Sequence, residues 1–156
     1  MTLNPGDYAP GFSLPNADGD LVSLANLAGQ RVVLYFYPRD DTPGCTKEAC
    51  SFRDAFPQYQ DQSVAVLGIS TDDAKSHSKF STKYNLPFPL LSDAGGQVAS
   101  AYGSYGLKKF MGKEYMGISR STFIIGPDGR IEKIYRKVKP ESHAAQVLED
   151  LAALSS

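Results

Sequence analysis

A chain of 156 residues with 42% hydrophobic and 21% charged residues has the makeup of a globular protein, which excludes disordered, collagenous and membrane classes. Sixteen Lys and Arg against seventeen Asp and Glu, with no dense run of either sign, offer no broad field for a polyanion, so no nucleic acid is expected as a partner. The start, Met1-Thr-Leu-Asn-Pro-Gly-Asp, has neither the basic opening nor the apolar run of a signal peptide, and no later stretch could span a bilayer; the expectation is a cytoplasmic protein without a membrane partner.

No internal repeat, low-complexity tract or composition shift marks a linker, so residues 1–156 read as a single domain. The segment to about Gly19, rich in Pro, Gly and Asn, suggests a hairpin-like start. Arg31 to Tyr37, RVVLYFY, is a β-branched and aromatic run that predicts a strand buried on both faces. Pro38-Arg-Asp-Asp-Thr-Pro-Gly breaks it. A helix then follows with Ala49, Phe52 and Phe56 on one side, which Pro57 should end or kink. Ser63 to Ser70 predicts a second buried strand parallel to the first. Asp72 or Asp73 can cap a helix carrying Phe80 and Tyr84, four apart. A short helix is expected from Gly96 to Tyr102, and Gly-Pro-Asp-Gly should join strands 121–125 and 130–135 as an antiparallel hairpin. A last helix should run from about Pro140 to Leu154. The order βαβ, hairpin, helix predicts an α/β fold, a mixed central sheet with helices on both faces.

The two cysteines, Cys45 and Cys50, carry the chemistry. In a reducing compartment such a pair is not expected to be a permanent staple. Cys-x-x-x-x-Cys is not a zinc spacing, and His77 and His143, both read as surface residues, are not beside it in sequence, so no metal is expected. Isolated cysteines are usually small buried hydrophobes, but this pair follows Thr-Pro-Gly at a strand-to-helix turn. With Thr42 as N-cap and Pro43 at the first helical position, Gly44 and Cys45 fall in the first turn. There, unpaired N–H groups and the macrodipole favour a thiolate. Cys45 lies four residues before Ala49 and seven before Phe52, at the head of the apolar stripe and facing the sheet. Cys50 is about 140° around the axis and about 7.5 Å along it, so in an intact helix the sulfurs point apart. A bond between them would require the first turns to unwind, which Gly44 eases.

The run Pro38-Arg-Asp-Asp-Thr42-Pro-Gly-Cys45-Thr-Lys-Glu-Ala-Cys50 contains Pro-x-x-x-Thr-x-x-Cys and closely resembles the active-site segment of the peroxiredoxins, in particular the peroxiredoxin Q or bacterioferritin comigratory protein group. The likeness continues through Tyr115-Met-Gly-Ile-Ser-Arg120-Ser-Thr-Phe-Ile-Ile and Arg136-Lys-Val-Lys. Gly126 and Tyr135 depart from the group's usual residues, away from the motif. The resemblance implies a thioredoxin-like peroxiredoxin fold and a thiol-dependent peroxidase, acting on hydrogen peroxide and organic hydroperoxides in antioxidant defence. It implies thioredoxin or a similar dithiol as reductant, and no cofactor or metal. It makes Cys45 peroxidatic and Cys50 resolving through a Cys45–Cys50 disulfide. It places Arg120 against peroxide and thiolate, and gives Thr42 and Pro38 the remaining motif positions. Thr42, Gly44, Cys45 and Arg120 are then the substrate-binding set. An intramolecular disulfide removes any chemical need for a dimer, so a monomer is expected.

Two other functions share the residues. A general disulfide oxidoreductase would show Cys-x-x-Cys, with both sulfurs at one helix end. A chaperone-like or redox-sensing module would use the unwound helix as a binding surface. Insulin reduction would mark the first, and absence of turnover the second.

Overall fold

The computed structural model describes residues 3–155. Its centre is a five-stranded sheet in the order β5-β4-β3-β8-β9. β3 (Arg31–Phe36), β4 (Val64–Ser70) and β5 (Leu90–Ser92) run parallel, and β8 (Ser121–Ile125) and β9 (Ile131–Tyr135) are antiparallel to their neighbours. α1 (Pro43–Asp61) crosses from β3 to β4, and α2 (Ala74–Tyr84) from β4 to β5. α4 (His143–Ser155) closes the chain.

Period-two alternation makes β3 central. Val33, Tyr35 and Tyr37 point into one core with Cys45, Ala49, Phe52 and Tyr59 of α1, Phe80 of α2 and Val147 and Leu151 of α4. Val32, Leu34 and Phe36 point into a second core. The second core holds Ala99 of α3 (Gln97–Ala101) and the hairpin of β1 (Ser13–Pro15) and β2 (Leu21–Ser23). Helices thus lie on both faces of a mixed sheet, as expected. Each fully buried aliphatic or aromatic side chain of this set contributes about 1.5–3 kcal/mol. Tyr35 stacks on Phe52 at 4.9 Å between ring centroids and meets Phe88 edge-on at 6.0 Å.

Four expectations need correction. Pro57 does not end α1, which continues to Asp61. Proline removes one intrahelical donor, but Phe52 and Tyr59 on either side are fully buried and anchor both halves. The opening hairpin forms with its first strand at Ser13–Pro15, and its second strand, Leu21–Ser23, lies past the expected limit near Gly19. The last helix begins at His143 rather than Pro140. His77 and His143, read as surface residues, are both 0% exposed. Nothing local in the sequence marks β5, or a separate hairpin of β6 (Tyr105–Phe110) and β7 (Lys113–Ile118). β5 has only three residues, and the hairpin mixes lysines with glycines instead of alternating cleanly.

Candidate active site

The site forms where β3 ends and α1 begins. Tyr37 still donates from its backbone to Ile69 O at 3.1 Å, after which the chain turns. Pro38, half-buried, ends the strand. Asp40 then ties the turn down. Its Oδ1 accepts from Tyr37 Oη at 2.5 Å, and its Oδ2 accepts from Ser76 Oγ at 2.7 Å and lies 2.7 Å from His77 Nδ1. Asp72 Oδ2 accepts from the Asp40 backbone at 2.7 Å. His77 Nε2 lies 3.0 Å from Leu91 O. Asp40, Asp72 and His77 bring donor atoms within 4.8 Å of one another, the grouping that could hold a cation. Those atoms are instead committed to hydrogen bonds with each other, Ser70, Tyr37 and Ser76, which makes the cluster a clamp on the turn. Asp41, the next residue, takes a left-handed φ of 56° and is held by Lys83 Nζ at 2.9 Å and Tyr84 Oη at 3.0 Å.

Thr42 occupies the N-cap position in extended conformation, with Pro43 following, as the sequence predicts. Its hydroxyl does not cap the helix. It donates back to Arg39 O at 3.0 Å, which leaves the oxygen's lone pairs available to accept. Cys45 in the first turn is 1% exposed and belongs to the α1-side core, at the head of the apolar stripe. Cys50 is half-buried on a different side of the same unbroken helix, and both thiols are free.

Arg120 arrives through topology. β8 is antiparallel to β3 with Ser121 opposite Phe36, so the residue just before β8 lies beside the end of β3 and the mouth of α1. Arg120 Nη2 donates to Cys45 Sγ at 3.2 Å and Nη1 to Glu48 Oε1 at 2.6 Å. Gly44 permits this approach, because a Cβ there would lie 3.0 Å from Arg120 Nη2. Burial works against the Arg120 charge, but Glu48 and Cys45 beside it prevail and hold it cationic. Lys108 of β6, whose Nζ donates to Ile118 O at 2.6 Å, is close enough to feel both Arg120 and Cys45.

Glu48 was missed. It is 0% exposed, and burial, only partly offset by Arg120, pushes its carboxyl up to about 7. Its sequence signal is a lone acid inside the apolar stripe, three residues after Cys45 and therefore on the same helix face. Tyr35 is near enough to feel it, its phenol raised by burial and then by Glu48 and Cys45. His143 completes the floor with Nε2 2.8 Å from Thr122 Oγ1, and burial lowers it to about 4. Arg120 reaches Cys45 past Gly44, Thr42 stands at the N-cap three residues before Cys45 with its hydroxyl on Arg39 O, Pro38 lies four residues earlier just past the end of β3, and Cys50 remains apart.

A thiolate at a helix N-terminus with a guanidinium on its sulfur is stabilised without losing access to a positioned electrophile, the arrangement nucleophilic sulfur chemistry needs. A model of the AhpC/TSA family matches residues 5–134. The chain is 50% identical over 148 residues to a putative peroxiredoxin bcp of Coxiella burnetii, covering 95% of this chain and 98% of that protein. It is 46% identical over 155 residues to peroxiredoxin Bcp of Bacillus subtilis, covering 99% of each. A solved PrxQ variant of Xylella fastidiosa superposes with a TM-score of 0.93 at 36% identity, over 100% of this chain and 99% of that one. The bacterioferritin comigratory protein of Xanthomonas campestris, whose trapped intermediate and ligand complexes were solved to explain its alkyl peroxide reduction, gives 0.88 at 38%, over 93% and 92%. The chain therefore belongs to the AhpC/TSA family, as a thiol-dependent peroxidase of the Bcp, or peroxiredoxin Q, type.

Proposed function

We propose that Cys45 is the nucleophile of this peroxidase and Cys50 its resolving partner. The observation that carries the reading is the 3.2 Å bond from Arg120 Nη2 to Cys45 Sγ in the first turn of α1. The substrates are hydrogen peroxide and organic hydroperoxides. The Thr42 hydroxyl, its proton engaged by Arg39 O, accepts from the peroxide O–H, while the Gly44 and Cys45 backbone N–H groups and Arg120 stabilise the departing oxygen. Pro38 shapes the turn that sets Thr42 in place. Attack forms an S–O bond, breaks the O–O bond and leaves sulfenic acid on Cys45.

Resolution needs the helix to open. Five residues of intact helix separate the two Cα atoms by about 7.5 Å along the axis alone, beyond reach of a disulfide. Unwinding of the first turns brings Cys50 to the sulfenic sulfur, and water leaves as the disulfide forms. Thioredoxin or a similar dithiol then returns both thiols by exchange. The protein acts as a monomer in the cytoplasm, without metal or cofactor; among the described residues no helix is long and apolar enough to cross a membrane.

Mass spectrometry after one equivalent of peroxide tests the reading. An intrachain Cys45–Cys50 bond, with turnover in a coupled thioredoxin assay that Cys45→Ser abolishes, is the expected result. Persistent turnover in Cys45→Ser would overturn it.

A further inference from the structure

Arg120 is one cation between two acids. Its Nη2 holds Cys45 Sγ and its Nη1 holds Glu48 Oε1, while Glu48 Oε2 is buried with no hydrogen-bond partner among the described residues. Tyr35 Oη, on β3 and close enough to Glu48 to feel its charge, is likewise buried without a partner among the described residues. A carboxylate in such a place keeps one oxygen unsolvated, and a thiolate beside it leaves a net negative charge out of water. Unpaired buried charges are costly enough that such groups neutralise instead.

The other charged or titratable groups facing the cluster do not overturn this balance. Burial raises the Tyr35 phenol far above neutrality, and His143 on α4, lowered to about 4, is uncharged at neutral pH. Asp40, in the turn, is spoken for by Tyr37, Ser76 and His77. Lys108 on β6, its nitrogen on Ile118 O, is near Cys45 and Arg120, so its charge favours the anion on sulfur over one on Glu48.

We propose that Cys45 and Glu48 share a single negative charge across Arg120: Glu48 is protonated while Cys45 is a thiolate, and gives up that proton when oxidation removes the charge from sulfur. The inference rests on the assignment of Cys45 as nucleophile. The step balances as thiolate, hydroperoxide and Glu48 carboxylic acid going to sulfenic acid, alcohol (water from hydrogen peroxide) and Glu48 carboxylate. Sulfur loses two electrons to the peroxide, the S–O bond forms as the O–O bond breaks, and the proton gained by the departing oxygen equals the one lost by Glu48, carried through solvent. Glu48 does not touch the peroxide and is a positioning residue. Once ionised, it draws Arg120 more strongly, just when the sulfenic sulfur has become the weaker acceptor. The guanidinium then loosens its hold on the residue that must leave the pocket.

The full chain carrying Cys50→Ser, which halts at the sulfenic acid, provides the test. One equivalent of hydrogen peroxide is added at pH about 6 in weak buffer with an indicator dye, and the oxygen gained by Cys45 is counted by mass spectrometry. The parent should take up about no protons per oxidised cysteine, whereas adding Glu48→Gln should give uptake of about one, because the carboxyl no longer supplies it. Infrared difference spectra should show a protonated-carboxyl band replaced by carboxylate bands in the parent and not in the Glu48→Gln form. Equal proton uptake in both, with Cys45 oxidised, would overturn the shared charge and leave the nucleophile assignment intact. Absence of oxygen on Cys45 would overturn both.

Discussion

Arg120 Nη2 reaches Cys45 Sγ at 3.2 Å past Gly44, where a Cβ would stand 3.0 Å from that nitrogen and crowd it. The guanidinium fork serves sulfur and Glu48 at once, and an ammonium, a single point of charge, cannot span both. Arg120→Lys should therefore slow Cys45 oxidation by about 10²-fold, the usual effect of removing one preorganised donor. Stopped-flow tryptophan-free detection, by competition with a reference peroxidase, measures it. A loss of only a few-fold would mean that charge near the sulfur suffices without geometry.

The separation of the two thiols on one intact helix makes their variants unequal. Cys50→Ser leaves Arg120, Thr42 and the α1 mouth untouched, so the first equivalent of peroxide should be consumed at the parental rate and turnover should then stall. A rapid-mixing trace followed by steady-state assay with thioredoxin separates the phases. Loss of the first phase as well would make Cys50 part of the attack step.

What could be read beforehand followed local chemistry. The RVVLYFY run, the Thr-Pro-Gly start of α1 and the Gly-Pro-Asp-Gly hairpin each carry their own instructions, and the fold places all three as read. Arg120 needed the family resemblance, because only the antiparallel register of β8 on β3 brings it across 75 residues to the sulfur. The two histidines misled for a related reason. Neither lies in an apolar stretch, yet Asp40 and Thr122, distant in sequence, supply the partners that make burial tolerable. Glu48 was legible in principle as an acid on an apolar stripe, but its cation is again Arg120.

Asp40 depends on His77 in turn. Removing a hydrogen-bonding partner from a buried group costs about 1–3 kcal/mol, and His77 partners both Asp40 and Leu91 O. His77→Leu should lower stability by about 3 kcal/mol, read from urea unfolding, and should raise amide exchange across residues 41–50, which hang from the clamp. A loss below about 1 kcal/mol would show that Tyr37 and Ser76 alone satisfy Asp40.

Pro57 offers a stabilising change. It is exposed within α1 and deprives that helix of one donor, a defect worth about 3 kcal/mol in a helix interior, of which proline's stiffening of the unfolded chain returns up to about 1. Pro57→Ala should raise stability by about 1–2 kcal/mol without altering peroxidase activity. A thermal melt showing no rise would mean that the helix already bends to accommodate the ring.

Glu48 and His143 should pull the pH dependence of stability in opposite directions. His143 falls from 6.5 to about 4 on folding, so the unfolded chain binds the extra proton in that window, and its contribution is lost as pH falls. Glu48 rises from 4.5 to about 7, so the folded chain binds the extra proton, and its contribution is lost as pH rises. Between pH about 4.5 and 6.5 the two slopes, each up to about 1.4 kcal/mol per pH unit, largely cancel in the parent. Relative to the parent, Glu48→Gln should gain about 2 kcal/mol on going from the acid to the neutral end of that window, and His143→Gln should lose about as much. Urea unfolding at four or five pH values measures both. Parallel curves for parent and variants would mean that neither group changes its proton on folding, and would remove the buried carboxyl's claim to a proton at neutral pH.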